Sequence, residues 1–194
     1  MTTRPFYTDD LPAGLRTAQV LGLTASAFLA GKTFSASFSA VPALMRAESP
    51  SLLAKQWKTL YDSDKLVAPL ISVFSSGIFA FLAYRDETWT KPAIMYTTSS
   101  SLLLSLLPFT FLLGEPINKK LEEKARTLTS ADVREKSVGE DSVHGLVDKW
   151  ATVNLARAVI SAVGAVTAIW AAVERTDIVP ATVRIGTGAN RMGN

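Results

Sequence analysis

The chain has 194 residues, 48% of them hydrophobic, with a mean hydropathy of +0.22 and a formal net charge of +3. It holds no cysteine and one histidine, His144. This excludes disulfides, thiol catalysis and iron–sulfur ligation, and leaves little basis for a bis-His haem or a His-rich metal centre.

The Lys and Arg residues form no single stripe, so nucleic acid is not an expected partner. No P-loop, GxGxxG run, internal repeat or low-complexity tract occurs. The apolar residues gather in four blocks, at about 17–44, 66–84, 93–113 and 151–173. Three are near the roughly 20 residues that cross about 30 Å of hydrocarbon, and the first is longer. The expected fold is all-α. It is a four-transmembrane-helix bundle forming a single integral membrane domain over 1–194, with an interfacial helix in the first loop and a long, partly helical third loop.

The first block lacks the small-residue cleavage site of a signal peptide and is too long for one, so it is expected to remain as a span. Lys32 lies inside it, in "FLAGKTFSASFSAVPAL". Ser35, Ala36, Ser39 and Ala43 share its face, which is expected to look inward. Two roles are open to Lys32. Desolvation favours a neutral amine that could serve as a base. Alternatively, the charge packs against a carbonyl or carboxylate.

The first loop contains "SPSLLAKQWKTLYDSD". Ser49 suits an N-cap and Pro50 the first helical position. Leu53, Trp57, Leu60 and Tyr61 then share one face. That face is either an anchor at the membrane interface or a lid whose aromatics contact a lipophilic ligand.

The second block, "LVAPLISVFSSGIFAFLAY", is uncharged and ends at Arg85, Asp86 and Glu87. The third is polar along one side, with Thr97, Ser101 and Ser105 four residues apart, and Pro108 near its end is a candidate kink. The hydroxyl stripe serves helix packing or lines a polar cavity. His144, before the fourth block, is a solvated loop histidine or a base.

The fourth block separates cleanly on a helical wheel. Trp150, Asn154, Arg157, Ser161, Ala165 and Ala168 fall on one face; Leu155, Val159, Val163, Val166, Trp170 and Val173 fall on the other. The first face is assigned to the bundle interior, so Arg157 points inward, one turn from Asn154. Snorkelling to the surface, or pairing with a carboxylate such as Glu115, is the structural alternative to a functional role. Positive residues are denser in the loops after the first and third blocks. The positive-inside rule puts those loops in the cytosol and both termini outside or in a lumen.

The stretches "GKTFSASFSAVPAL" (31–44), "QWKTLYDSDKLVAP" (56–69), "PFTFLLGEPINKKL" (108–121) and "WATVNLAR" (150–157) resemble the DUF1772 membrane proteins, and most of all their fungal anthrone oxygenase branch. The best signatures are Pro-Phe-Thr…Pro-x-Asn and Trp-x3-Asn-x2-Arg. Trp57, Tyr61, Thr110, Pro116, Asn118, Trp150, Asn154 and Arg157 match the family pattern. Lys32 departs from it, standing where relatives usually have an uncharged residue. The Asn154 position varies within the family, and several fungal members have His there. The resemblance implies a cofactor-independent, multi-pass monooxygenase, in the endoplasmic reticulum membrane if the source is fungal. It would oxidise an anthrone-type aromatic polyketide to an anthraquinone, with O2 as co-substrate and no metal, in secondary metabolism.

That chemistry needs an apolar slot, a base, and a cation or donor set for an oxyanion. Arg157 and Asn154 suit the oxyanion. Trp57, Tyr61 and Trp150 suit stacking, with Asn118 and Thr110 as further substrate contacts. Lys32 and His144 are the candidate bases. The alternatives are a non-catalytic membrane scaffold or assembly factor, or a family enzyme acting on another aromatic polyketide. A small transporter fits less well, because no repeated broken helices occur. A cavity between the Arg157, Lys32 and Thr97/Ser101 faces would favour an enzyme; a Leu-filled core would favour a scaffold.

Overall fold

A computed structural model describes residues 12–86, 89–128 and 142–174, and the regular structure among them is all helical. The first block forms α1 (Ala13–Ser35), a π-helical turn at Ala36–Ala40, and α2 (Val41–Leu44). α3 (Pro50–Asp64) starts as its sequence requires: the Ser49 hydroxyl accepts the Leu52 N–H at 3.2 Å, and Pro50 occupies the first turn. α4 (Val67–Tyr84) follows. α5 (Lys91–Phe109) is capped by Thr90, whose hydroxyl accepts the Ala93 N–H at 3.2 Å. It continues through a second π-helical turn, Thr110–Gly114, into α6 (Glu115–Thr127). α7 (Val143–Glu174) has 32 residues, about 48 Å at 1.5 Å per residue.

Each π turn ends two residues before a proline, Pro42 in one case and Pro116 in the other. A proline has no N–H and its ring clashes with the carbonyl four residues back, here Phe38 or Leu112. Widening the turn relieves that clash and lets bonding resume five residues apart. Accordingly, the Val41 N–H donates to Ala36 O and the Glu115 N–H to Thr110 O.

α1, α4, α5 and α7 pack in a ring, α1 on α4, α4 on α5, α5 on α7 and α7 on α1. Three helices, Pro50–Tyr84, Lys91–Thr127 and Val143–Glu174, are long and apolar enough to cross a membrane. α1 is the fourth bundle member; Gln19, Thr24, Lys32 and Thr33 dilute its hydropathy. Small residues set the helix spacing. A Cβ on Gly22 would lie 2.8 Å from Ile78 and 2.9 Å from Phe79.

Hydroxyls join the helices, but not those of the expected stripe. Ser72 donates to Leu103 O at 2.5 Å, and Ser99 donates to Gly164 O at 2.6 Å. Thr97, Ser101 and Ser105 instead bond back within α5, and the last two are exposed. The neighbouring row, Tyr96, Ser99, Leu103 and Leu106, is the buried one. Burial follows apolar area, and a hydroxyl can be satisfied within its own helix.

Two separate cores result. The bundle core contains Leu15, Leu29, Phe79, Leu82, Tyr96 and Leu103. The second contains Leu53, Trp57, Leu121, Val143, Leu146, Val147 and Trp150, drawn from α3, α6 and the start of α7. The aromatic face of α3 is therefore turned into protein. α7 begins eight residues before the expected 151 because its first two turns help to build this second core.

The wheel of the fourth block holds: Trp150, Asn154, Ser161, Ala165 and Ala168 are buried, Arg157 is half-buried, and the opposite face is exposed. The face proposed around Lys32 does not hold. Ser35, Ser39 and Ala43 are exposed, Lys32 is half-buried, and the inward row is Leu29, Thr33 and Ala36. Ser39 and Ala43 lie in and beyond the π turn, where a wheel at about 100° per residue loses register. Residues 129–141 of the third loop and both chain termini lie outside the described residues.

Candidate active site

The Pro-Phe-Thr…Pro-x-Asn motif is the second π turn with its flanks. The turn and the first turns of α6 present Thr110, Gly114, Glu115 and Asn118 to one cavity. The Trp-x3-Asn-x2-Arg motif on α7 presents Trp150, Asn154 and Arg157 to it from the other side. α3 and its C-cap residue add Tyr61, Asp64 and Lys65. This lobe measures about 140 Å³. A second lobe of about 180 Å³ is more apolar, lined by Leu29, Leu106, Leu107 and Phe111 with Ser72 and Ser161. The two share Thr33, Ala68, Pro69, Thr110, Glu115 and Arg157, so Arg157 stands at their junction.

The hydrogen bonds divide the labour. Asn154 Nδ2 donates to Thr33 O and to Ser37 Oγ, both at 3.0 Å. Arg157 Nη1 donates to Asn154 Oδ1 at 3.2 Å. Both ends of the Asn154 amide are therefore occupied. The residue fastens α7 to α1 and aims the guanidinium, so neither donor of its amide is left over for a ligand. Arg157 Nε is buried and finds no partner among the described residues; the same is true of Asn118 Oδ1, in a side chain only 5% exposed. Unpaired buried polar atoms are uncommon and costly. Here one donor and one acceptor belong to residues lining a single cavity, an arrangement suited to a polar ligand group.

Trp57 is fully buried, stacked on Tyr61 at 5.0 Å and edge-on to Trp150 at 6.0 Å. It does not line the cavity itself; it backs the two aromatics that do. Pro116 is exposed and acts on the backbone. Lys32 lies outside the cavity and makes an ion pair with Asp64, the packing role of the two open to it. His144 is in the first turn of α7, 13 positions before Arg157. That separation is about 20 Å along the helix, and His144 lines neither lobe. Thr97 and Ser101 border a different, 410 Å³ groove with Tyr84 and Trp89. The structure thus gathers Arg157, Asn154, Trp150, Tyr61, Thr110 and Asn118, with Trp57 behind them, and leaves Lys32 and His144 apart.

Thr33, Ser37 and Asp64 join the site with no motif to mark them, and Glu115, expected only as an ion-pair partner for Arg157, lines both lobes. Among the described residues Glu115 and Arg157 form no ion pair; Glu115 pairs loosely with Lys119 at 3.8 Å. The position of Glu115 inside the Pro-Phe-Thr…Pro-x-Asn run was the available signal. Among the described residues, no group of three or more His, Cys, Asp or Glu is arranged to hold a metal ion.

Fold and site together define a helical bundle with three helices long and apolar enough to cross a membrane, and an internal, aromatic-walled cavity with Arg157 where its two lobes meet. The sequence pattern of a family described as anthrone oxygenase matches residues 57–167, which span every cavity-lining element except α1. The chain belongs to that family, whose general activity is oxygenation. It is 27% identical over 153 residues to anthrone oxygenase AgnL2 of Paecilomyces divaricatus, covering 77% of this chain and 91% of the relative. It is 30% identical to anthrone oxygenase dmxR16 of Cryptosporiopsis sp., covering 77% and 84%. It is 27% identical to monooxygenase hypC of Dothistroma septosporum, covering 76% and 78%. No solved structure matches the chain.

Proposed function

We propose that this protein is a membrane-embedded, cofactor-independent oxygenase that converts an anthrone-type aromatic polyketide to an anthraquinone with O2. The observation that carries the reading is the place of Arg157, where a polar, aromatic-walled lobe meets an apolar one. Each lobe is smaller than the roughly 300 Å³ at which ligand pockets usually begin, but a flat tricycle laid across both uses their combined volume. Tyr61 and Trp150 flank one end, and Leu106, Leu107 and Phe111 enclose the other.

An anthrone carries a methylene opposite its ketone. Loss of a methylene proton leaves an electron pair delocalised onto the ketone oxygen, and Arg157 supplies the charge and the donor to hold that oxyanion. The electron-rich anion passes one electron to O2, and the two radicals join as a peroxide. Cleavage of its O–O bond with loss of the second methylene proton gives the quinone carbonyl and water. Substrate and O2 both partition into apolar media, which suits a membrane site.

The test is quinone formation from emodin anthrone by membranes containing the protein, against empty-vector membranes that report the spontaneous oxidation. A rate above that background supports the proposal. An equal rate at verified expression refutes it and leaves the scaffold alternative.

A further inference from the structure

The proposed chemistry needs a proton acceptor that faces the substrate, and neither Lys32 nor His144 faces the cavity. Among the groups that do, the Arg157 guanidinium has donors only and the Tyr61 phenol is a weak acid, not a base. Lys65 is tied to Asp62 at 2.9 Å, and Asp64 is tied to Lys32. Glu115 remains, and it is the carboxylate that lines both lobes. Its ion pair, to exposed Lys119 one turn along, is 3.8 Å long, near the outer limit of such contacts.

We propose that Glu115 is the general base of this site; the proposal rests on the anthrone-oxidising function argued above. Its backbone is fixed by the π turn, through the N–H bond to Thr110 O, and by Pro116 directly after it. The ketone oxygen and the methylene sit on opposite sides of the central ring of an anthrone. Cation and base must therefore stand apart and both reach the ring. Arg157 on α7 and Glu115 on α6 do this: both border both lobes, with no ion pair between them among the described residues. Asn118, one turn along α6 from Glu115, adds an unpartnered, buried acceptor in the same cavity.

The proton inventory closes on one carboxylate. Glu115 takes the first methylene proton as the C–H bond breaks, and the electron pair moves onto the oxygen held by Arg157. After electron transfer to O2 and radical coupling, protonated Glu115 returns that proton to the peroxide. The carboxylate then takes the second C–H proton as the O–O bond breaks, and this proton leaves with the departing hydroxide as water.

The experiment compares wild type, Glu115→Gln, Glu115→Asp and Glu115→Ala in native membranes, normalised to the amount of folded protein. Turnover of emodin anthrone is followed from pH 4 to 9, with and without added formate. Tyr61, Asp64, Lys65, Arg157 and Lys119 face or flank the carboxylate, so an acid limb in the profile is assigned to Glu115 only if Glu115→Gln removes it. Loss of a general base typically costs on the order of 10²–10⁴-fold. The expected result is that loss for Glu115→Gln in kcat with KM little changed, partial activity for Glu115→Asp, and recovery of Glu115→Ala by formate. Wild-type rates in folded Glu115→Gln would overturn the assignment while leaving the oxygenase reading intact. Should Glu115→Gln fail to fold, full activity in Glu115→Ala without formate overturns it equally. A wild type no faster than empty-vector membranes refutes the function itself, and the role of Glu115 with it.

Discussion

Asn154 and Arg157, one helical turn apart on α7, behave as a single unit. The guanidinium Nη1 donates to the amide oxygen at 3.2 Å, while the amide nitrogen is anchored on α1 at Thr33 O and Ser37 Oγ. Replacing Asn154 with Leu removes all three bonds and strands buried partners, at a cost of about 1–3 kcal/mol for each group left unsatisfied. We expect a lower melting temperature in detergent and reduced turnover. Histidine, with one donor and one acceptor when neutral, keeps at most two of the three bonds, so Asn154→His should lie between the two. Unchanged stability in Asn154→Leu would show that the anchor is unimportant.

Arg157 should be intolerant of a change that keeps only its charge. Lysine lacks the planar fork and cannot both hold Asn154 and present a second donor. Losing one well-placed oxyanion donor costs on the order of 10²–10³ in rate. Arg157→Lys should fall by that order with membrane abundance intact, and Arg157→Leu should fall further yet still insert, because it removes a half-buried charge. Full turnover in Arg157→Leu, measured by quinone absorbance, would eliminate the oxyanion role.

Trp57 should act through packing. Its ring is fully buried against Tyr61 and Trp150. Truncating such a core residue costs about 3–5 kcal/mol. Trp57→Ala should lower the melting temperature and raise KM, since the two aromatics it backs lose their position. A variant with wild-type stability but no turnover would instead point to direct contact with substrate.

The Lys32–Asp64 pair makes a double-mutant cycle the informative measurement. Lys32→Met and Asp64→Asn should each reduce stability by leaving the other partner alone, and the double variant should recover part of the loss. Turnover per folded Lys32→Met protein should stay near wild type. A fall to background at normal abundance would restore Lys32 as a base.

Where the chain is plain α-helix, it was readable in advance. α7 runs unbroken, so the wheel placed Trp150, Asn154, Arg157 and Ser161 on the inner face and Val159 and Val163 outside, as found. The capped start of α3 at Ser49 and Pro50 was equally legible, because capping is local. The face around Lys32 was not. The π turn that shifts Ser39 and Ala43 follows from a proline clash, and neither Pro42 nor Pro116 announces whether the helix will break, kink or widen. The role of Asn154 was hidden for another reason: its partners Thr33 and Ser37 lie more than a hundred positions away in sequence, and only the packing of α1 on α7 brings them together.

The two cores share no residue, and the cavity lies where one gives way to the other. Proteins with such a division often open in pieces, each unit with its own protection against amide exchange. Here the α3–α6 layer, with its shorter helices, is the unit that would exchange first. Its opening would uncover Tyr61, Glu115 and Asn118 while Thr33, Asn154 and Arg157 stayed held by the bundle. A pocket built on that division would be laid open by loosening one layer alone, with the helices that carry Asn154 and Arg157 still packed.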